Sequence, residues 1–199
     1  MSNYLNFSFS FLAVFIFLFA SFKKLRPEYE KKEIAAAGTS GLILGFVLWF
    51  LLKKINLGLL GIILAFWLVL RRFAKKYDWY FWTIAESLSP LAIWVFFLSL
   101  LSNIVLKLNW LNLAKVLSMI ILIILQIPLG NYRRFRWYKS GKAGFLFLAD
   151  LSLLSFINSA LDFYQKRLLQ SLVWLTLMAA GAVGIIILGK ERKQVKVSN

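Results

Sequence analysis

The sequence predicts an all-α integral membrane protein, a bundle of seven transmembrane helices. Hydrophobic residues make up 61% of its 199 residues and charged residues only 16%, whereas soluble domains are about half apolar and a quarter charged. The apolar residues also form seven continuous stretches of about 16 to 23 residues, and about 20 helical residues cross a hydrocarbon core. Period-two alternation is absent from these stretches, which favours helices over the strands of a membrane barrel.

The seven stretches fill nearly the whole chain, with short connections between them. In order they are Tyr4–Phe22, Ala35–Leu52, Ile55–Leu70, Trp79–Leu101, Trp110–Leu129, Phe145–Phe163 and Leu168–Leu188. The first stretch has no basic residue before it and no small-residue cleavage site, so we interpret it as a helix rather than a signal peptide. Residues 1–189 are therefore predicted to form one transmembrane domain, and residues 190–199 a basic tail.

The basic residues divide unevenly between the two sides that seven crossings create. Eighteen of the 24 Lys and Arg residues lie in the first, third and fifth connections and in the C-terminal tail, and six lie on the opposite side. The positive-inside rule therefore predicts an outside N-terminus and a cytoplasmic C-terminus. Tyr132 and Tyr138 lie in one of the basic connections, where we expect them to act as interfacial anchors.

Composition also limits the chemistry. The chain has no cysteine and no histidine, which excludes disulfides and thiol catalysis and argues against a metal site or any cofactor. Its net charge of +16 favours anionic lipid headgroups over nucleic acid, because the basic residues lie at the ends of apolar stretches. The residues predicted to contact lipid headgroups on the inner side are Arg133, Arg134, Arg136 and Lys139.

Three carboxylates lie within the predicted helices. Glu86 lies about seven residues, or roughly 10 Å, into the fourth, so it either faces other helices as a structural or substrate-contacting group or extends back to the interface. We expect Asp150 to point toward the interface and the basic connection before it. We expect Asp162 to pair with Lys166, one helical turn further on.

Three asparagines are predicted to lie at one level near the outer ends of helices, namely Asn56, Asn103 and Asn158. Asparagine at a helix end is commonly a cap or an interfacial residue. A shared level in the membrane is also compatible with a common polar pocket, which Asp162 and Glu86 would join.

Short stretches in the first half of the chain share residue types and spacing with one family of membrane enzymes. Asn56–Gly61 stands where that family has His-Gly-Gly-Leu-x-Gly at the start of its third helix. Glu86, Pro90 and Asn103 follow the spacing of its Asp, its Pro and the Asn of its Gly-Arg-x-Gly-Asn-Phe signature.

The second half of the chain continues the likeness. Asn158–Phe163 aligns with the family's Arg-Phe-x-x-Glu-Phe, and Gly144–Phe147 with the lead-in to the same helix. On these residues the chain, over about residues 7–165, resembles the prolipoprotein diacylglyceryl transferases. The resemblance implies a seven-helix protein of the bacterial inner membrane that transfers diacylglyceryl from phosphatidylglycerol to a lipobox cysteine. Its implied partners are that lipid and the signal peptide of a lipoprotein precursor.

The chain departs from the family where the chemistry is concentrated. Asn56, Leu100 and Asn158 replace the family's His and two Arg residues. Losing one bidentate arginine–phosphate contact costs about 2–5 kcal/mol, so we expect transfer to be lost or altered. The alternative is a non-catalytic protein of the same fold that binds lipid or a membrane partner. Cations predicted on the same side as the site are candidate substitutes, namely Lys53, Lys54, Lys107 and Arg167.

Overall fold

The computed structural model describes residues 2–55, 57–106, 109–132, 138, 140 and 142–190, and the side chains among them from residue 12 onward except at 99 and 102–106. This part of the chain forms seven helices and no strand, which confirms the predicted fold class. The helices are α1 (Ser2–Leu25), α2 (Lys31–Lys53), α3 (Gly58–Tyr77), α4 (Phe81–Leu106), α5 (Trp110–Gly130), α6 (Phe145–Tyr164) and α7 (Leu168–Gly189).

Five segments are long and apolar enough to cross a membrane, namely α2, α5, α6, α7 and the Phe81–Leu98 part of α4. Large apolar side chains cover their outer surfaces, such as Ile124 on α5 and Ile187 on α7, which are 58% and 62% exposed. Lipid solvates such a surface and water does not, and each helix satisfies its own backbone hydrogen bonds there. The chain is therefore a multi-pass membrane bundle.

Contacts between connecting segments define two ends of the bundle. At one end, Lys24 of α1 donates to the backbone carbonyl of Ser87 in α4, and Trp79 Nε1 donates to Glu33 Oε2 of α2 at 3.0 Å. We call this the basic end, because the first and third connections, which carry nine Lys and Arg residues, meet there. At the other end, the far end, Gln170 Nε2 donates to the carbonyl of Ile55 at 3.1 Å. The helices thus alternate in direction as the charge pattern predicts.

Glycines let two pairs of consecutive helices approach closely. A Cβ atom on Gly61 of α3 would lie 2.6 Å from the carbonyl oxygen of Leu48 in α2, and one on Gly181 of α7 would lie 3.0 Å from that of Leu148 in α6. Small residues at such crossings are typical of membrane helix pairs, whose association depends on close packing. The glycines of the Asn56–Gly61 segment thus have a packing role at the start of α3.

The centre of the bundle is formed by α4 and α6. One apolar cluster joins α3, α4 and α6 through residues such as Phe73, Ile84 and Phe147, and a second joins α4, α5 and α6 through Ile93 and Leu122. Helix α6 contacts α4, α5 and α7, and it is the most buried of the five apolar spans. The polar side chains of α6, Asp150 and Asp162 among them, therefore lie next to other helices. The candidate sites are the places where they do so.

Candidate functional site

Glu86 of α4 faces the beginning of α6. The hydroxyl of Tyr132 donates to Glu86 Oε1 at 2.8 Å, and the backbone N–H of Gly144 donates to Oε2. Gly144 is the N-cap residue of α6, so the carboxylate lies where the helix dipole is positive and backbone N–H groups lack helical partners. Glu86 therefore faces other helices, as one of the two interpretations requires, rather than extending back to the interface.

Two tyrosines complete this arrangement, and the anchor interpretation of them is wrong. Tyr132 and Tyr138 are only 2% and 1% exposed, and the Tyr138 hydroxyl donates to the carbonyl of Lys142 at 3.0 Å. Tyr132 stacks on Phe145 with ring centroids 4.7 Å apart. Burial raises the pKa of Tyr138 above its ordinary value, so its hydroxyl stays a donor near neutral pH. We call Glu86, the two tyrosines and the Lys142–Gly144 backbone the Glu86 cluster.

Asp150 of α6 lies inside the bundle, so the expectation that it points toward the basic connection is wrong. The residue is 4% exposed. Ser89 of α4 donates its hydroxyl to Oδ2, and Gln126 of α5 donates its side-chain N–H to Oδ1. A buried carboxylate requires such partners, and the side chain therefore points toward α4 and α5 instead of toward the interface.

Asp162 pairs with Arg167 rather than with Lys166, which corrects the predicted i,i+4 pair. Helix α6 ends at Tyr164, and Lys166 has a φ of 59°. The N–H of Lys166 bonds to the carbonyl of Phe163 at 2.9 Å, and that of Arg167 to the carbonyl of Asp162 at 2.8 Å. This is a Schellman motif, and it brings Arg167 Nη1 to 3.9 Å from Asp162 Oδ1.

Other helices contribute to the surroundings of this ion pair. Lys115 of α5 is half-buried and lies within electrostatic reach of both Asp162 and Arg167. Trp174 of α7, only 2% exposed, lies with its side chain beside the Asp162 carboxylate. We call Asp162, Arg167 and Lys115 the far-end charge cluster. It has two cations for one carboxylate and is therefore positive overall.

The predicted pocket residues are only partly within the described part of the chain. Asn158 lies one turn before Asp162 on α6, and its side-chain amide donates to the carbonyl of Leu154 in its own helix at 2.8 Å. Asn56 lies outside the described residues, and Asn103 belongs to α4 but its side chain is outside them. Glu86 is at the basic end, so the structure does not bring it together with Asn158 and Asp162.

The four predicted headgroup residues and one candidate cation also lie outside the described residues, namely Arg133, Arg134, Arg136, Lys139 and Lys107. Of the other candidate cations at the far end, Arg167 reaches Asp162. The ammonium of Lys53 lies over the ring of Trp49, 4.4 Å from its centroid, and Lys54 is exposed. Arg167 is thus the candidate that the structure places against a site residue.

Leu100 is the residue that the sequence resemblance aligns with an arginine. Its side chain packs against the apolar cluster of Ile93, Met119, Leu122 and Leu154 between α4, α5 and α6. These neighbours have no polar group to pair with a guanidinium, so a charge at residue 100 would be left uncompensated. A leucine at residue 100 therefore suits the apolar side chains around it.

A cavity of about 90 Å³ lies at the basic end, between the end of α1 and the first turns of α4. It is lined by Lys24, Leu25, Glu28, Thr83, Ile84 and Ser87. None of these residues belongs to the Glu86 cluster. The cavity is therefore separate from the sites that the sequence singles out.

Among the described residues, no three or more His, Cys, Asp or Glu residues come close enough together to hold a metal ion. The carboxylates lie apart, with Glu86 at the basic end, Asp150 in the interior and Asp162 at the far end. Each has donors or cations of the protein as neighbours.

The sequence identified the three carboxylates in the helices, but it did not predict which residues pair with them. Ser89 and Gln126 are ordinary polar residues in apolar helices, and nothing in their spacing relates them to Asp150. A weak indication existed for Ser89, because it lies one turn after Glu86 and before Pro90, on an apolar helix that already carries a carboxylate. The pairing of Arg167 depends on the left-handed conformation of Lys166. A glycine at this position would have indicated such a conformation, but the sequence has a lysine.

Comparisons with protein-family models, with curated proteins and with solved structures found no match to this chain.

Proposed function

We propose that this chain is a multi-pass membrane protein of the prolipoprotein diacylglyceryl transferase type that binds phosphatidylglycerol at its far end. In this proposal its diacylglyceryl transfer activity is lost or altered. Lipid binding is the part of the transferase function that the side chains present can still perform. The lipobox signal peptide of a lipoprotein precursor is the corresponding second partner.

The observation that carries the proposal is the far-end charge cluster. Arg167 is 40% exposed and lies 3.9 Å from a carboxylate that is 12% exposed, so most of its N–H groups are free of that contact. A guanidinium offers five donors in a fork that fits phosphate oxygens. Lys115 adds a second positive charge nearby. A headgroup phosphate at the membrane surface would find two cations here.

The contact between Glu86 and Gly144 supports the resemblance from the other end of the bundle. These residues belong to two of the segments that carry it, and they are 58 residues apart in the chain. If the two segments resembled the family only by chance, there would be no reason to expect contact between them. Their direct hydrogen bond is compatible with one ancestral unit formed by α4 and α6.

The expected loss of transfer follows from groups that the site lacks. Displacement of glycerol phosphate from a glyceryl carbon by a thiol needs preorganised donors where charge develops on the leaving phosphate, and the thiol needs a group that takes its proton. Leu100 is packed among apolar side chains, and Asn158 donates its amide to its own helix. Arg167 and Lys115 can hold a phosphate, but a guanidinium is not a base at neutral pH.

Binding is tested with purified protein in nanodiscs that contain phosphatidylglycerol and phosphatidylcholine. We expect Arg167→Gln to lower retention of phosphatidylglycerol about fivefold, since one basic residue near an anionic headgroup contributes about that factor. Lys166→Gln is the matched control, because it removes the same charge from the adjacent residue and has no ion pair within the described part of the chain. Equal retention by the two variants and the wild type would remove the proposed site.

Catalysis is tested separately with labelled phosphatidylglycerol and a lipobox peptide. Lipid retention without transfer to the peptide cysteine is the expected result for a protein that has lost the reaction. Transfer that Arg167→Gln abolishes and Lys166→Gln does not would indicate an altered but active site. Absence of both binding and transfer in the wild type would contradict the whole proposal.

The proposed location is the bacterial inner membrane, with the basic end in the cytoplasm. The support is the charge asymmetry between the two ends, which matches the positive-inside rule. The chain has no cysteine, so single cysteines introduced at Ser2 and Ser198 can be labelled without background. Labelling of Ser2→Cys from outside intact cells, but not of Ser198→Cys, is expected. The reverse pattern would place the far end in the cytoplasm.

A further inference from the structure

The cavity between α1 and α4 at the basic end carries two opposite charges on its wall. Lys24 comes from the last turn of α1 and Glu28 from the connection that follows, while Thr83 and Ser87 come from the first turns of α4. Leu25 and Ile84 close its inner side and are 7% and 1% exposed. A polar rim over an apolar floor is a typical arrangement for binding a small group in a defined orientation.

The two charges do not neutralise each other. In the described part of the chain, Lys24 and Glu28 form no ion pair with one another, although both line the cavity. The Lys24 ammonium donates to the carbonyl of Ser87, and an ammonium has two further N–H donors. Glu28 and Thr83 are exposed. The wall of the cavity therefore carries a cation, a hydroxyl and a carboxylate.

We propose that this cavity binds the headgroup of a zwitterionic phospholipid that bears a primary amine. Lys24 and the Thr83 hydroxyl take the phosphate, and Glu28 takes the ammonium. Each charge of the ligand thus meets the opposite charge of the protein. The site differs from the far-end charge cluster in location and ligand, so it does not depend on the proposed function.

The position of the cavity fits a lipid headgroup. It lies where α1 and α4 meet at one end of the bundle, which is the level of the membrane surface whichever way the protein is oriented. Its volume of about 90 Å³ holds several water-sized groups, enough for a small headgroup and too little for acyl chains. Exposed apolar side chains, such as Phe15 and Phe19, precede Lys24 on α1, and acyl chains would run along such a surface.

Competing headgroups fit the wall less well. A headgroup whose only charge is the phosphate has no cation to pair with Glu28, and its phosphate is repelled by the Glu28 carboxylate. A quaternary ammonium has no N–H to donate to the carboxylate and is bulkier than a primary amine. Phosphatidylethanolamine is accordingly the natural probe, and phosphatidylcholine and phosphatidylglycerol are its controls.

The test uses the full-length protein in nanodiscs with equal amounts of these three phospholipids, and measures which lipids remain bound by native mass spectrometry. We expect the wild type to enrich phosphatidylethanolamine about fivefold over phosphatidylcholine, as one charge-assisted contact would give. Lys24→Gln should lower retention of phosphatidylethanolamine by a similar factor. Glu28→Gln should remove its preference over phosphatidylcholine.

Matched controls distinguish this site from general attraction to the basic surface. Lys23→Gln and Glu30→Gln make the same charge changes at exposed neighbours that do not line the cavity, and both should leave the lipid preference unchanged. All four positions are exposed, so folding is expected to be preserved, and the melting temperature checks this. A wild type without the preference, or equal effects of Lys24→Gln and Lys23→Gln, would overturn the proposal.

Discussion

The two ends of the bundle each place a carboxylate next to an end of α6, and they satisfy it to different degrees. At the basic end, both oxygens of Glu86 accept hydrogen bonds from other parts of the chain, from the Tyr132 hydroxyl and the Gly144 N–H. At the far end, Asp162 has an arginine at 3.9 Å that is 40% exposed. The hydrogen bonds of Glu86 are thus supplied by the protein itself. At the far end, N–H donors of Arg167 stay available to a ligand.

The difference distinguishes a charged group with a structural role, Glu86, from one that can bind a ligand, Arg167. A fully satisfied polar cluster between helices fixes their positions and has little left to offer a substrate. A loosely held, half-exposed guanidinium costs little to redirect toward a phosphate. Although the basic end holds more of the described Lys and Arg residues, the far end therefore has the cation that is freer to bind a phosphate, as the proposed function requires. Three substitutions test this comparison.

The largest effect is expected at Gly144. This residue has a φ of 108°, and an added Cβ atom would lie 2.7 Å from Cε3 of Trp82. Gly144→Ala should therefore destabilise the protein by about 2–4 kcal/mol, through backbone strain and overpacking together. Thermal unfolding in detergent measures this effect. Gly41→Ala is the control, because a Cβ atom at Gly41 meets nothing within 4 Å, and its melting temperature should not fall.

The next effect is expected at Glu86. Glu86→Ala leaves the Gly144 N–H and the Tyr132 hydroxyl without this acceptor, and should cost about 1.5–3 kcal/mol. Glu86→Gln keeps one acceptor oxygen and should cost clearly less. The same unfolding measurement applies, with Glu30→Ala as control, since Glu30 is exposed and makes no side-chain cap hydrogen bond. A Glu86→Ala protein as stable as this control would mean that the cluster does not hold the helices.

The smallest effect is expected at the far end. Arg167→Ala removes a half-exposed cation from a 3.9 Å pair, and such pairs contribute at most about 1 kcal/mol. Its melting temperature should therefore lie close to that of the wild type, although its lipid retention falls. A loss of stability as large as that of Glu86→Ala would show that the two ends are alike, and that Arg167 is a structural residue.

Much of the fold was predictable because a chain that crosses a lipid bilayer needs long apolar helices. The seven apolar stretches correspond to seven helices, and the charge alternation matches the alternation of their ends. Boundaries differ where helices continue beyond the apolar core. Helix α3 extends to Tyr77 through four basic residues, because side chains at the membrane surface are solvated by headgroups and water and need not be apolar.

Candidate site residues were predicted less well, since their partners come from distant parts of the chain. The special positions of Glu86 and Asp162 were predictable, because any carboxylate in an apolar helix requires an explanation. The predicted directions of Asp150 and of the Asp162 pair were wrong. In both cases the actual partner depends on which helix is adjacent, or on a left-handed residue that ends α6.

The sequence by itself determined that this is a seven-helix membrane bundle with one basic end, because the hydrocarbon core admits only long apolar helices and leaves charges at its edges. The tertiary structure decided which polar groups meet. Only the packing of α4 against α6 joins Glu86 to Gly144, and only the turn at Lys166 brings Arg167 to Asp162. Hydrogen bonds and ion pairs act over a few ångströms, and apolar helices that look alike in sequence do not reveal which of them are neighbours.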